Sequence, residues 1–344
     1  MKILFVSGSY PTKASHPMKL SLEDLGAQVE EVHRWKREVS HYQDDRSLME
    51  KIFEKLKMPL DKDGANQNIL SKIESSSYDV IFIVKGNHIF PSTLSTIKKN
   101  YPHVKLINWS LDDMFAKHNR SYFYTLNLKK YDLVVSTKSY NLDKYELPSL
   151  GAKKILFQNN SSYQFDYMKT IKRNENYKYE VCFIGTAEKQ RFKSMNYLAR
   201  NGIKVTIFGS GWEKKQYSDF HPNLTINCQN LEGRDYFKAI ASSKISLCFL
   251  RKINRDRQTL RTVEIPSVGG FMLAEYSEEH ASMFEDFHEA SFFRTDNELL
   301  QKVNFYLQDD LLRENIAKKG KERAKSYNMI QSAEKILEEL YSEG

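Results

Sequence analysis

Arg261-Thr-Val-Glu264-Ile-Pro-Ser-Val-Gly269-Gly270-Phe-Met-Leu273 reads as a short helix carrying one carboxylate, then a glycine pair, then an apolar strand. A helix start offers backbone N–H groups to a phosphate. A Glu one turn further on can accept hydrogen bonds from a neighbouring vicinal diol. Together they suit a ribose followed by phosphates, while an ordinary helix-turn-strand junction with a solvated Glu suits the same residues. The glycines allow a tight turn where a Cβ would clash.

Outward from that stretch, apolar β-branched runs alternate with amphipathic ones along the whole chain. Strands are expected at 2–7, 28–33, 79–84, 105–109, 132–136 and 154–158, with helical patterns at 48–56, 69–75, 92–100 and 122–129 between them. Residues 159–179 are polar and read as a linker. A second series follows, with strands at 180–184, 204–208, 223–227, 244–250, 271–274 and 290–293 and helices at 190–200, 233–241, 296–307 and 311–326. Such alternation is the signature of parallel βαβ units. The expected fold class is α/β, with two Rossmann-like domains whose parallel sheets face a central cleft. The expected division is 1–165, 166–328 and a closing helix over 329–344 that packs back on the first domain.

Composition narrows the class further. The chain has 344 residues and a net charge of +8, and its 20 Tyr and 20 Phe suit packed cores and argue against disorder. No apolar run approaches the roughly 20 residues of a membrane helix. Residues 1–7 are too short for a signal peptide and are interrupted by Gly8-Ser-Tyr-Pro11, so a cytoplasmic protein is expected. Cys182, Cys228 and Cys248 fall singly in apolar runs and read as reduced core thiols. Basic residues cluster at 34–37, 129–130 and 318–325. No nucleic-acid-binding signature accompanies them, so nucleic acid is not an expected partner. A solvated basic surface, peripheral contact with an anionic membrane and an anionic small substrate are all compatible with the charge.

Ligands of open α/β sheets sit outside the carboxyl ends of the strands. In the second half, Gly185-Thr186 follows one strand, with Arg191 in the next helix, and Gly209-Ser210-Gly211-Trp212 follows another. Trp212 either covers a base or packs on the domain. Arg251, Arg255, Arg257 and Arg261 cluster ahead of Glu264; one or two would neutralise a diphosphate, and Arg261 could instead pair with Glu264 at i,i+3. In the first half, strand ends lead into Lys85-Gly86-Asn87-His88, Ser110-Leu-Asp112-Asp113 and Thr137-Lys138-Ser139. Asp113 and His88 are candidate general bases for an incoming hydroxyl. The adjacent Asp112-Asp113 pair is not a metal motif, and no metal is expected.

The string Arg-x-x-Glu-Ile-Pro-x-x-Gly-Gly-Phe-x-Leu at 261–273 resembles the C-terminal domain of CgeB-like glycosyltransferases of the spore maturation type. Phe183-Ile-Gly185-Thr186, Arg191, Phe208-Gly-Ser-Gly211-Trp212 and the tail over 310–327 are similar to it too, and Trp109-Ser-Leu-Asp112-Asp113 more loosely. The resemblance implies a GT-B architecture, with a nucleotide-sugar donor held by the C-terminal domain and Glu264 on the ribose. Related retaining enzymes carry a Glu-x7-Glu pair; the upstream position here is Asp256.

The sequence thus points to metal-independent transfer of a sugar from a nucleoside diphosphate to a hydroxyl acceptor, in glycan or glycoconjugate synthesis. The acceptor would be a glycan, a lipid-linked or a small-molecule hydroxyl, and the nucleotide sugar a co-substrate rather than a cofactor. Gly185, Thr186, Arg191, Gly209, Ser210, Arg257, Arg261, Glu264, Gly269 and Gly270 are the expected donor-binding residues. A nucleotide-sugar epimerase and a non-catalytic nucleotide- or glycan-binding protein are the alternatives on the same scaffold.

Overall fold

The computed structural model describes residues 1–9, 15–35, 47–173 and 177–342. Pro11, Lys36 and Arg37, and residues 174–176 of the expected linker, lie outside them. The chain divides into two compact units, Met1–Asn159 with Met329–Gly344, and Asn160–Asn328.

Unit 1 runs β1 (Lys2–Ser9), α1 (His16–Asp24), β2 (Gln28–Trp35), α2 (Leu48–Lys55), α3 (Ala65–Ser75), β3 (Val80–Val84), α4 (Pro91–Asn100), β4 (Lys105–Ser110), α5 (Tyr122–Asn127), β5 (Leu133–Ser136) and β6 (Ile155–Phe157). The strands form one sheet in the order β2-β1-β3-β4-β5-β6, each pair parallel. Both faces are covered, as all-parallel sheets require. On one face Leu4, Ile81, Ile83 and Leu106 pack with Ile69, Leu94 and Ile97 of α3 and α4. On the other, Phe5 stacks on Phe82 with ring centroids 5.3 Å apart, and Phe82 meets Trp109.

Unit 2 runs α6 (Asp166–Lys169), β7 (Tyr179–Ile184), α7 (Lys189–Arg200), β8 (Val205–Phe208), β9 (Leu224–Asn227), α8 (Gly233–Ala241), β10 (Ser243–Cys248), α9 (Leu260–Ser267), β11 (Met272–Glu275), α10 (Glu278–Met283), β12 (Ser291–Phe293), α11 (Asp296–Gln308) and α12 (Asp310–Ala324). Its sheet, β12-β11-β10-β7-β8-β9, is also parallel throughout. Phe183, Leu247 and Phe271 fill one face with α7 and α11, while Cys248, Met272 and Ala274 fill the other with α8 and α9. The closing helix α13 (Met329–Tyr341) belongs to unit 1, where it packs on α1.

Every strand expected from the sequence forms, with ends displaced by one or two residues. The division falls at Asn159/Asn160, ahead of 165/166, and local bonding explains why. The Asn160 backbone N–H and side-chain amide both donate to Oε1 of the buried Gln258, and the Ser162 N–H donates to the Tyr327 backbone carbonyl, drawing 160–165 into unit 2. Cys182 and Cys248 are core thiols, but Cys228 lies just past β9 and is exposed.

Candidate functional site

Strand order locates the sites. In unit 2 the chain places β7, β8 and β9 outward in one direction, then returns to put β10 on the other side of β7. A crevice opens at such a reversal, outside the carboxyl ends of the two strands. In unit 1 the corresponding reversal lies between β1 and β3.

At the β7 end, two arginines share one aromatic ring. The guanidinium carbons of Arg191 and Arg261 each lie 5.5 Å from the centroid of the Phe183 ring. Arg191 occupies the first turn of α7 and Arg261 the first turn of α9, and neither turn holds an acidic residue. Helix N-termini already carry about half a positive charge each. Adding a guanidinium to both opposes the usual preference for Asp or Glu there, so positive potential accumulates at one spot.

The protein leaves that charge largely unanswered. Arg191 is buried, and its Nε and Nη2, like Nε of Arg261, donate no hydrogen bond. Its Nη1 donates to the Thr186 carbonyl at 3.2 Å, and Arg261 Nη1 reaches the Ile184 carbonyl at 3.5 Å. Glu188 and Asp256 are the counter-charges that act on Arg191, and Glu188, 3.7 Å from Arg191 Nε, is closer, at 2.9 Å, to Nε of the exposed Arg251. Burial, and then repulsion from Arg261, pull the Arg191 guanidinium down to about 10. Buried donors without acceptors are costly, and an anion supplies what they lack.

Glycines let the backbone close around this point. Gly185 N–H donates to the Phe208 carbonyl, and a Cβ on Gly185 would lie 3.2 Å from Arg261 Nη1. Gly209 has φ +144°, and a Cβ there would stand 2.1 Å from the Gly185 carbonyl oxygen. The Ser210 carbonyl accepts the Ala187 N–H, which ties this turn to the Gly185-Thr186 loop. Trp212 is buried, donating from Nε1 to the Gly185 carbonyl at 2.9 Å and packing on Phe183 and Tyr217. Of its two readings, packing is the one realised.

Glu264 lies one turn along α9 from Arg261, partly buried. Among the described residues the alternative Arg261–Glu264 ion pair does not form; the Tyr236 hydroxyl of α8 donates to Glu264 Oε2 at 2.8 Å instead. Burial raises the Glu264 carboxyl above the ordinary range, and the Tyr236 hydrogen bond and Arg261 oppose that rise only in part. The second carboxylate oxygen has no bond to the described residues.

One expectation needs correction. Gly269-Gly270 lies at the C-terminus of α9, ahead of β11, and so on the amino edge of the sheet, away from Gly185 and Gly209. An eight-residue helix separates it from the arginines by roughly 12 Å, and a helix C-terminus repels phosphate. Its role is close packing: a Cβ on Gly270 would meet Ile240 at 2.5 Å and the Ile265 carbonyl at 2.8 Å. Arg257 is exposed, and its backbone carbonyl accepts from the Ser277 hydroxyl. Asp113 is fully buried and accepts from the Phe115 and Ala116 N–H groups and the Asn141 amide, contacts that hold the turn after β4.

His88 is placed differently. A cavity of about 460 Å³ opens at the β1/β3 reversal, with Ser7 and Gly8 after β1, Lys85 and His88 after β3, and Ser110 and Asp112 at the end of β4. Lys85 Nζ donates to Asp112 Oδ2 at 2.7 Å. Burial, followed by Arg34 and Lys85, holds the His88 imidazole well below its usual value, so it is neutral at pH 7. Among the described residues no cluster of His, Cys, Asp or Glu has the form of a metal site, and no helix is long and apolar enough to cross a membrane.

Residues 191–338, less than half of the chain, match the family model described as glycosyl transferase-like. No match is found among curated protein sequences. Among solved structures, the chain is similar to sucrose-phosphate synthase from Thermosynechococcus elongatus, with 12% identity, 99% of each chain covered and a TM-score of 0.65. It is similar to Anabaena HepE in complex with UDP and glucose, with 13% identity, 99% of each chain covered and a TM-score of 0.64. It is also similar to the N-terminal domain of trehalose-6-phosphate phosphatase from Candida albicans, with 10% identity, 98% and 96% covered and a TM-score of 0.67. At such identities the likeness speaks for architecture: two Rossmann-like units, each built on a six-stranded parallel sheet, in the GT-B fold.

Proposed function

We propose that this protein is a glycosyltransferase that moves a sugar from a nucleoside diphosphate to a hydroxyl acceptor, without a metal ion, in glycan or glycoconjugate synthesis. The observation that carries the reading is the Arg191–Arg261 pair over Phe183, two cations at two helix N-termini whose buried donors lack an acceptor. The glycosyl transferase-like match over 191–338 supports it, as do the UDP and UDP-glucose bound to HepE. The CgeB-like resemblance of 261–273 belongs to the same reading.

In this proposal unit 2 holds the donor. Arg191 and Arg261 take the diphosphate, and the open oxygen of Glu264 accepts from the ribose diol. During transfer the bond between the sugar's anomeric carbon and the diphosphate oxygen breaks, and its electron pair stays on the diphosphate. The guanidiniums meet that developing charge already oriented, which is where electrostatic catalysis is strongest. The acceptor oxygen forms the new bond and gives up its proton. Unit 1 reads the acceptor, in the cavity lined by His88, Lys85 and Asp112; its size suits a small polyol or a single sugar unit. A neutral His88 is in the right state to take the proton.

Calorimetric titration with UDP, GDP, dTDP and CMP tests the donor half. Binding of one nucleoside diphosphate, weakened by Arg261→Ala, supports the proposal. Failure of all four to bind would end it.

A further inference from the structure

Helix α2 turns its apolar side chains outward. None of its residues is buried, and Leu48 and Leu56 are 75% and 60% exposed, with Met49 and Ile52 exposed beside them. At 100° per residue, positions 48, 49, 52 and 56 fall on one arc of the helix. A short helix gains most of its stability from burying such an arc; here the arc is exposed.

The charges of α2 are sorted around that arc. Glu50 lies on the far side, capping the helix through the Ser47 N–H at 2.9 Å and pairing with Lys62 at 3.5 Å. Glu54, on the same side, pairs with Arg34 at 3.5 Å. Lys51 and Lys55 are exposed and flank the apolar arc. The patch extends onto α5, whose Tyr122 N–H donates to the Lys57 carbonyl at 2.7 Å. Tyr122 and Leu126 are exposed there, with the exposed Lys129 one turn further on.

An apolar arc flanked by lysines, with its carboxylates turned inward and a tyrosine at its margin, matches the side-chain distribution of helices that lie in the headgroup layer of a bilayer. From this arrangement we infer that the α2–α5 face of unit 1 docks on a negatively charged lipid surface. A second copy of the chain fits less well, because a two-fold contact through this patch would set the same lysines against each other. The inference stands on residues other than those of the nucleotide reading and is tested apart from it.

The test is flotation of the full-length protein with vesicles of phosphatidylcholine, alone or mixed with phosphatidylglycerol. The protein is expected to float with the mixed vesicles, roughly tenfold less with phosphatidylcholine alone, and to be released by salt. Leu48→Gln/Leu56→Gln is expected to weaken flotation about tenfold without shifting the melting temperature, because both side chains are exposed in the free protein. Lys51→Glu/Lys55→Glu should abolish the preference for the anionic lipid. The inference is overturned if the wild type does not float, if the leucine variant floats as well as the wild type, or if sedimentation shows a dimer that the same leucine change dissociates.

Discussion

The Tyr236 hydroxyl donates to Glu264 Oε2 at 2.8 Å, so a residue of α8 fixes the rotamer of the carboxylate on α9. Sequence spacing pairs Glu264 with Arg261; the folded chain frees Arg261 for the Phe183 ring and gives Glu264 a neutral partner. A hydrogen bond to a charged group contributes about 1.5–3 kcal/mol. Glu264→Ala is therefore expected to weaken nucleoside diphosphate binding roughly ten- to a hundredfold. Tyr236→Phe should weaken it less, since it loosens the carboxylate without removing it. Calorimetry on the two variants checks the order, and unchanged affinity in the alanine variant would remove Glu264 from the site.

The same carboxylate acts against stability. Its folded-state value is raised by burial, so the folded protein holds the proton over a pH range in which the unfolded chain has lost it. Stability attributable to this group is highest below the ordinary carboxylate value and declines as pH rises through the raised one. Glu264→Gln, which stays neutral, should melt higher than the wild type at pH 7 and differ little at pH 4. Thermal melts at the two values, with a loss of nucleotide affinity alongside, would show a binding group kept at the expense of the fold.

Arg261→Ala should separate phosphate recognition from nucleoside recognition. Loss of one charge-assisted contact predicts at least about tenfold weaker binding of a nucleoside diphosphate, with little change for the free nucleoside. Wild-type affinity should also fall with added salt more steeply than that of the variant. Equal losses for diphosphate and nucleoside would place Arg261 in a structural role.

The two glycine turns are predicted to behave differently. Gly209→Ala forces a side chain into φ +144° and against the Gly185 carbonyl, and Gly270→Ala drives one into Ile240 and the Ile265 carbonyl. Overpacking of this kind costs about 1–3 kcal/mol or more. Both variants should lose urea resistance, but only Gly209→Ala should also lose nucleotide affinity, because Gly209 closes on Gly185, which in turn lies against Arg261. A folded Gly270→Ala protein with impaired binding would restore Gly270 to the site.

Acid should weaken unit 1 through His88. Burial depresses its imidazole, so the unfolded chain takes up a proton below about pH 6.5 that the folded chain resists. Its contribution is complete above that pH and is lost as pH falls. His88→Gln should flatten the decline in urea midpoint between pH 7 and 5, and an unaltered slope would contradict the buried, neutral imidazole.

Strand positions were legible because apolar runs in a parallel sheet, buried on both faces, leave a local mark, and the glycines after β7 and β8 were legible as strand ends. What escaped is what tertiary contact creates. Helix α1 has no side-chain cap and buries only Met18, Ser21 and Leu22, so its pattern is faint without α13 against it. Tyr236 looks like any aromatic on an amphipathic helix until α8 lies beside α9. Gly269-Gly270 misled because a glycine pair reads alike at either edge of a sheet, and direction along the strand, not composition, decides which edge it occupies. Which member of the Asp112-Asp113 pair lines the cavity was not legible either: Asp112 does, while Asp113 is buried in the turn.

Helix α13, packed on α1 of unit 1, is translated after the whole of unit 2. On the ribosome, unit 2 is continuous and can close while synthesis proceeds, whereas unit 1 must wait with the α1 flank of its sheet uncovered until residues 329–341 emerge. Of the two units, the one begun first is thus the second to be completed, and nascent chains stalled short of residue 329 should be recognised by chaperones through unit 1 rather than unit 2.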